Sequence, residues 1–131
     1  MNLLVDTHIW LWSHLEPKRL SRRVARALSD SRNDLWLSPI SLWETLLLCR
    51  KRRIVLNSPS AWISAAMEKA PFREAPLTNE VALATEAVHL VHPDPADRFL
   101  AATAMVYGLT LVTSDENLID GTGYAVLANR P

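Results

Sequence analysis

At 131 residues and 49% hydrophobic content, the chain is the size of one domain and has enough apolar side chain for a real core. No apolar run approaches the roughly 18 residues of a membrane span, because Asp6 and His8 break the N-terminal one, and that start lacks the basic region and cleavage site of a signal peptide. Cys49 is the only cysteine, which excludes an internal disulfide and a thiolate metal site and fits a reducing cytoplasm.

The formal net charge is zero, yet the charges are segregated. Residues 1–65 hold ten Lys/Arg against five Asp/Glu, and residues 66–131 hold four against nine. Nine of the fourteen basic residues fall in two clusters: Lys18, Arg19, Arg22, Arg23 and Arg26, then Arg50, Lys51, Arg52 and Arg53. Such clusters serve a polyanionic partner or are simply solvated helix surface.

In chain order, Asn2–Asp6 reads as a buried strand and His8–Leu15 as a helix stopped near Pro17. Ser21 is placed to cap a helix with Val24, Ala27 and Leu28 on one face and arginines opposite. Leu35-Trp36-Leu37 is the second strand. Ser38-Pro39 then gives an N-cap with proline at the first helical position, opening a helix to about Arg53. Ser58-Pro59 repeats the signal for a helix to about Ala70. Glu74–Leu77 is a candidate short strand, and Thr78 caps a helix expected to reach Leu90. Asp94-Pro95 opens a helix to Tyr107 that stops at Gly108. Leu109–Thr113 and Tyr124–Leu127 are the last strands. Strands alternating with helices, with nearly continuous apolar runs in the strands, indicate an α/β domain around a parallel sheet.

Four acids stand within or at the end of apolar runs: Asp6, Glu44, Asp97 and Asp115. Burying an ionised carboxylate without a partner costs several kcal/mol or forces it to take up a proton. Asp6 and Asp115 both end strands, and open parallel sheets form their sites outside the carboxyl ends of strands. Helices starting near that edge would bring Glu44 and Asp97 to the same place. Three of the four have a plainer reading as helix caps: Asp6 before Thr7, Asp97 as the third residue after an Asp94 cap, and Asp115 before Glu116–Ile119. Glu44 does not. Its helical neighbours Ile40, Leu47 and Leu48 are apolar, and no base stands three or four residues away. A bound divalent cation accounts for all four acids at once.

The order of these segments resembles the PIN-domain ribonucleases, and within them the VapC-type toxins of bacterial toxin–antitoxin pairs. The resemblance is carried by Leu4-Val5-Asp6-Thr7-His8 with Trp12, by Ser38-Pro39-Ile40-Ser41-Leu42-Trp43-Glu44, by Asp94 through Ala104, and by Leu111-Val112-Thr113-Ser114-Asp115. It spans the chain and implies one PIN domain over residues 1–131, a three-layer sandwich with a central parallel sheet flanked by helices. It further implies Mg²⁺ or Mn²⁺, endonucleolytic cleavage of RNA leaving a 5′-phosphate and a 3′-hydroxyl, inhibition by a small antitoxin, and a homodimer. Asp6 and Asp97 are then the expected central ligands, with Asp115 and Glu44 completing the site directly or through water; hard carboxylate oxygens suit either ion. Thr7 and Ser114 adjoin two of the acids and are candidates to orient a ligand or water.

Other classes fit less well. A haloacid-dehalogenase-like phosphotransferase needs a second Asp two positions after the first, where this chain has His8. A receiver domain needs a late strand-end lysine, and none follows Lys69. The remaining alternative is a non-catalytic PIN-like module that binds RNA or protein, against which the retention of all four acids argues. His8 is expected in a packing or supporting role, and Trp10, Trp36 and Trp43 as packing residues. Leu42, Trp43, Leu46, Leu47 and Cys49 make the third helix apolar over a wide arc, so it is either buried on both sides or covered by another chain.

Overall fold

The computed structural model describes residues 1–131. Strand β1 (Asn2–Val5) sits at the centre of a five-stranded sheet ordered β3-β2-β1-β4-β5, every pairing of which is parallel. Its partners are β2 (Asp34–Leu37) on one side and β4 (Thr110–Thr113) on the other, with β3 (Arg73–Glu74) and β5 (Ala125–Ala128) outermost. Between them run α1 (Thr7–Leu15), α2 (Arg22–Ser29), α3 (Pro39–Arg50), α4 (Pro59–Lys69), α5 (Asn79–Ala84), α6 (Pro95–Tyr107) and α7 (Glu116–Ile119), with short 3₁₀ turns at Pro17–Arg19 and Thr85–Ala87.

The alternation of strand side chains sorts the core into two layers. Leu3, Val5 and Val112 face Ile9, Trp10, Val24 and Ile63 of α1, α2 and α4. Leu4 and Leu111 face Val81, Leu100, Ala101 and Leu118 of α5, α6 and α7. Both faces of the central strands are therefore covered, which is why Leu3-Leu4-Val5 is apolar without interruption. The three-layer sandwich expected from the sequence is the architecture found. Helix α3 belongs to neither layer alone, since Leu42 and Leu48 pack on one core and Ile40 on the other.

Proceeding from β1, the chain first adds strands on one side of it, then crosses to add β4 and β5 on the other. The crevice between the carboxyl ends of β1 and β4 is thus the point where connections diverge, the place such sheets offer for a site.

Several boundaries differ from expectation, each for a local reason. Helix α3 stops at Arg50, not Arg53, because Arg52 takes a left-handed backbone with φ +58°. The Arg52 amide bonds the Cys49 carbonyl and the Arg53 amide the Leu48 carbonyl, the closing pattern usually built on glycine. Strand β3 is Arg73–Glu74 rather than Glu74–Leu77: the Ala75 amide makes a last bond to Leu37, and Pro76 has no N–H to extend the ladder. Helix α5 ends at Ala84, short of Leu90, because the chain turns so that His89 bridges Thr122. Trp43 is not a packing residue. It is 53% exposed, while Ser41 and Thr45 are the buried side chains of α3.

Leu111 is fully buried between β1 and α6, so Leu111→Ala is expected to lower unfolding stability by about 3 kcal/mol in urea titration. Val55→Ala, at an 86% exposed position, is expected to change it by less than about 0.5 kcal/mol.

Candidate metal centre

Asp6 is carried past the end of β1 by one more ladder bond, from its amide to the Val112 carbonyl, and its own carbonyl then starts α1 by accepting from Trp10. It occupies the N-cap position but makes no side-chain cap bond. Instead the Thr113 hydroxyl, at the end of β4, donates to Asp6 Oδ2 at 2.6 Å and accepts from the Asp115 amide at 3.0 Å. One hydroxyl therefore fixes both strand-end acids. Asp6 is 5% exposed, and burial is the main reason its carboxyl rises to about 6, with Thr113 and the nearby Thr7 amide pulling it down and Asp115 and Asp94 pushing it up.

Asp97 lies on the first turn of α6. Its Oδ2 accepts from the Asn117 side-chain amide at 3.0 Å. The same Asn117 nitrogen donates to the His92 carbonyl at 2.9 Å, its oxygen accepts from the His92 amide at 2.8 Å, and its backbone amide donates to Asp115 Oδ1. Asn117 thus ties together the loop before α6, Asp97 and Asp115. Burial first, then Asp115, Asp94 and Asp6, raises the Asp97 carboxyl to about 7 against the pull of Asn117.

Glu44 reaches the group from α3. Thr7 Oγ1 stands 2.6 Å from Glu44 Oε1 and 2.9 Å from Ser41 Oγ. A hydroxyl has one proton and an ionised carboxylate only accepts, so Thr7 donates to Glu44 and Ser41 serves Thr7. Burial raises the Glu44 carboxyl; Thr7 lowers it, Asp6 and Asp94 raise it further, and His8 lowers it.

The structure therefore brings Asp6, Asp97 and Asp115 together at this edge, sets Glu44 beside Asp6, and adds a fifth acid, Asp94, that acts on Asp6, Glu44 and Asp97. The capping accounts also hold for two positions, since Asp94 Oδ1 accepts from the Asp97 amide and Asp115 Oδ1 from the Asn117 amide. Capping uses only one oxygen of each. On Glu44, Asp94, Asp97 and Asp115 the second carboxylate oxygen has no hydrogen-bond partner. All four ion pairs of the molecule lie elsewhere, and none includes an acid of this group.

Thr113, Asn117 and Asp94 are the supporting residues that spacing did not single out; Asp94 was visible only as a cap. Tyr124 is also adjacent. Its hydroxyl donates to the Leu118 carbonyl at 2.6 Å, and burial together with Asp97 and Asp115 pushes it up to about 12. Ser114 makes no side-chain contact with the acids, whereas Thr7 does. His8 is exposed and lays its ring against Trp12.

Oxygen-only donors, unclaimed lone pairs and surplus negative charge fit a hard divalent cation. No three of the side chains converge on one point at coordinating distance, so the ligand shell would close by side-chain rotation or through water.

A parallel sheet in this order, with acids at the divergence point, defines the class, and residues 3–122 match the PIN-domain family model. Over 118 residues, 88% of each chain, the protein is 35% identical to Ribonuclease VapC22 of Mycobacterium tuberculosis. The chain belongs to the PIN-domain family, among its VapC ribonuclease relatives. The fold also matches the VapBC2 complex of Rickettsia felis bound to a promoter DNA fragment, with TM-score 0.72, 13% identity and 98% of both chains covered. FitAcB of Neisseria gonorrhoeae matches with TM-score 0.67, 23% identity and 97% of both chains.

The raised carboxyls of Asp6, Glu44 and Asp97 make the fold pH-sensitive in chelator. A group whose folded pKa exceeds its unfolded value contributes stability that is complete below the unfolded pKa and disappears as pH rises through the folded one. For Asp97 the window runs from about 4 to about 7. In chelator, Asp97→Asn, which does not titrate, is expected to gain on the wild type steadily from pH 4 to pH 8 in urea midpoints. A difference independent of pH would show that Asp97 is not crowded.

Proposed function

We propose that the protein is a divalent-metal-dependent endoribonuclease and the toxin of a toxin–antitoxin pair, using Mg²⁺ or Mn²⁺ held by Asp6, Asp97, Asp115 and Glu44. The observation that carries this reading is the group of five carboxylates gathered at one sheet edge with no ion pair to a lysine or arginine. Bound there, a divalent ion supplies a Lewis acid that neutralises charge building on the phosphate and eases deprotonation of the attacking water. The chain's own residues set the geometry. Thr113 holds Asp6 with one oxygen turned toward it, and Asn117 holds Asp97 in the same way across the crevice. Thr7 and Ser41 hold Glu44 by a hydroxyl chain that adds no charge. The scissile phosphate would lie over this crevice, its ribose chain leaving along the rim.

Topology separates the two basic clusters. Ser21 hydrogen-bonds Asn129, just beyond β5, so α2 starts at the carboxyl edge of the sheet, with Arg22 and Arg23 in its first turn. Helix α3 also starts there but runs 12 residues away from it, about 18 Å, before reaching Arg50. The first cluster therefore suits an RNA backbone at the site, and the second suits another partner.

Two apolar surfaces suit the protein partners. Trp43, Ile40, Leu77, Pro95, Ala96 and Phe99 line a shallow hollow of about 440 Å³ alongside Asp94 and Asp97, and a second copy packing there would make a homodimer. Leu46, Ile54, Val55 and Pro59 line a larger groove of about 610 Å³ flanked by Arg50 and Arg52, suited to an apolar helix of the antitoxin. Glu44 stands two residues before Leu46 on the same helix, so a short extension of the antitoxin segment from that groove could bring a basic side chain to the carboxylates in place of the cation.

Asp6→Asn and Asp97→Asn are expected to abolish Mg²⁺- or Mn²⁺-dependent cleavage of single-stranded RNA by the purified protein and growth inhibition on expression, with the fold retained by circular dichroism. Wild-type cleavage by folded Asp97→Asn would overturn the proposed site. Replacing Arg22 and Arg23 with Gln should flatten the salt dependence of RNA binding by about one or two contacts, while replacing Arg50 and Arg53 should not. Trp43→Arg is expected to convert a dimer into a monomer in light scattering without lowering the melting temperature of the protomer.

A further inference from the structure

One surface cluster has contacts that neither the core, on which Trp12 partly packs, nor the carboxylates, among which His8 acts on Glu44, account for. On the outer face of α1, one residue after Thr7, exposed His8 lies against Trp12 with ring centroids 5.8 Å apart at 52°. The guanidinium of Arg19 sits 4.2 Å from the centre of the Trp12 ring. The indole Nε1 of Trp12 donates to nothing in the protein, although the side chain is half-buried.

The arrangement is tied to the sheet edge. Asn129 accepts from the Ser21 amide at 2.7 Å and donates to the Arg19 carbonyl at 3.0 Å, so its side chain clamps the turn that carries Arg19. Its own backbone amide donates at 2.7 Å to the carbonyl of Thr113, whose hydroxyl holds Asp6. Two residues therefore link the Arg19 turn to the central acid. The series Glu44, Thr7, His8, Trp12, Arg19 leads outward from the carboxylates, changing from anionic to aromatic to cationic.

We propose that His8, Trp12 and Arg19 form a track for single-stranded RNA leaving the carboxylate crevice, with a base stacked at Trp12 and the adjoining phosphate paired with Arg19. The proposal rests on the ribonuclease reading and specifies how that site holds its substrate. Aromatic faces stack any base, and a cation beside them tracks the backbone, which is how single strands are held without strict sequence preference. An Arg over a Trp is also common as surface packing, here with Glu16 at 3.6 Å as a second partner. A packing role predicts a loss of stability alone; a stacking role predicts a loss that depends on a base being present.

The test uses the Asp97→Asn protein, which does not cut, and fluorescent single-stranded oligoribonucleotides of mixed sequence, one set intact and one with a single abasic residue moved along the chain. Trp12→Ala added to that background should weaken binding of intact RNA by at least about 5-fold. Trp12→Phe should retain most of it, and Arg19→Gln should reduce the salt dependence by about one phosphate contact. One abasic position should weaken binding to the parent and abolish its advantage over Trp12→Ala. Arg53→Gln, just beyond the far end of α3, serves as the unchanged control.

Equal affinity of the parent and Trp12→Ala for intact RNA overturns the track, as does an equal loss at every abasic position. If the wild type still cuts RNA with Mg²⁺ in that case, only the track falls. If the wild type neither binds nor cuts any of these oligonucleotides, the nuclease reading falls and the track falls with it.

Discussion

Like charges held close repel, and the upper edge of this sheet is organised around holding five carboxylates together without a base. The restraint comes from neutral donors. Thr113 takes Asp6, Asn117 takes Asp97 and Asp115, and Thr7 with Ser41 takes Glu44. A lysine or arginine in any of these places would relieve the repulsion and stabilise the fold, but it would also cancel the charge that attracts a cation. Hydroxyls and amides orient a carboxylate while leaving its charge intact.

The cost of that choice appears in the protonation behaviour. Asp6 and Asp97 rise to about 6 and about 7, so the cluster gives up its protons later than ordinary carboxylates do, and a bound ion would displace them. For the fully buried Asp6, a rise of about two units corresponds to roughly 3 kcal/mol of strain on ionisation. Such a sum is tolerable because it is small beside the apolar burial beneath it. Leu3, Leu4, Val5, Leu111 and Val112 are all fully buried directly under the acids, and each contributes about 1.5–3 kcal/mol.

The sheet, its two faces and the four acids were legible in the sequence because each leaves a strong local mark. Continuous apolar runs gave β1 and β4, Ser38-Pro39 and Asp94-Pro95 gave the helix starts, and an acid in an apolar arc gave Glu44. The supports were not legible. Thr113 reads as an ordinary β-branched strand residue, and Asn117 as a polar residue in a short turn; their roles depend on partners in other elements, His92 and Asp97 for Asn117 and Asp6 for Thr113. Trp43 misled for the opposite reason. Its type favours burial, but α3 stands at the junction of the two layers and buries Ser41 and Thr45 instead, close to Thr7 and Glu44. The two basic clusters look equivalent in sequence, and only the direction of α2 and α3 distinguishes them.

The hydrogen bond from Thr113 to Asp6 joins residues 107 positions apart. In chain order β1 precedes β4, so Asp6 is made well before the strand that completes the crevice beside it. Until then β1 lacks its neighbour on one side, and Asp6 and Glu44 stand on a surface that has nothing to draw them toward Asp97 and Asp115. A polypeptide abandoned before Thr110 consequently lacks Asp115, the Thr113 hydroxyl that holds Asp6, and the partner of one side of the central strand. Translation interrupted before β4 therefore yields pieces that lack the crevice, and whatever hazard the molecule poses begins only once that strand has been made.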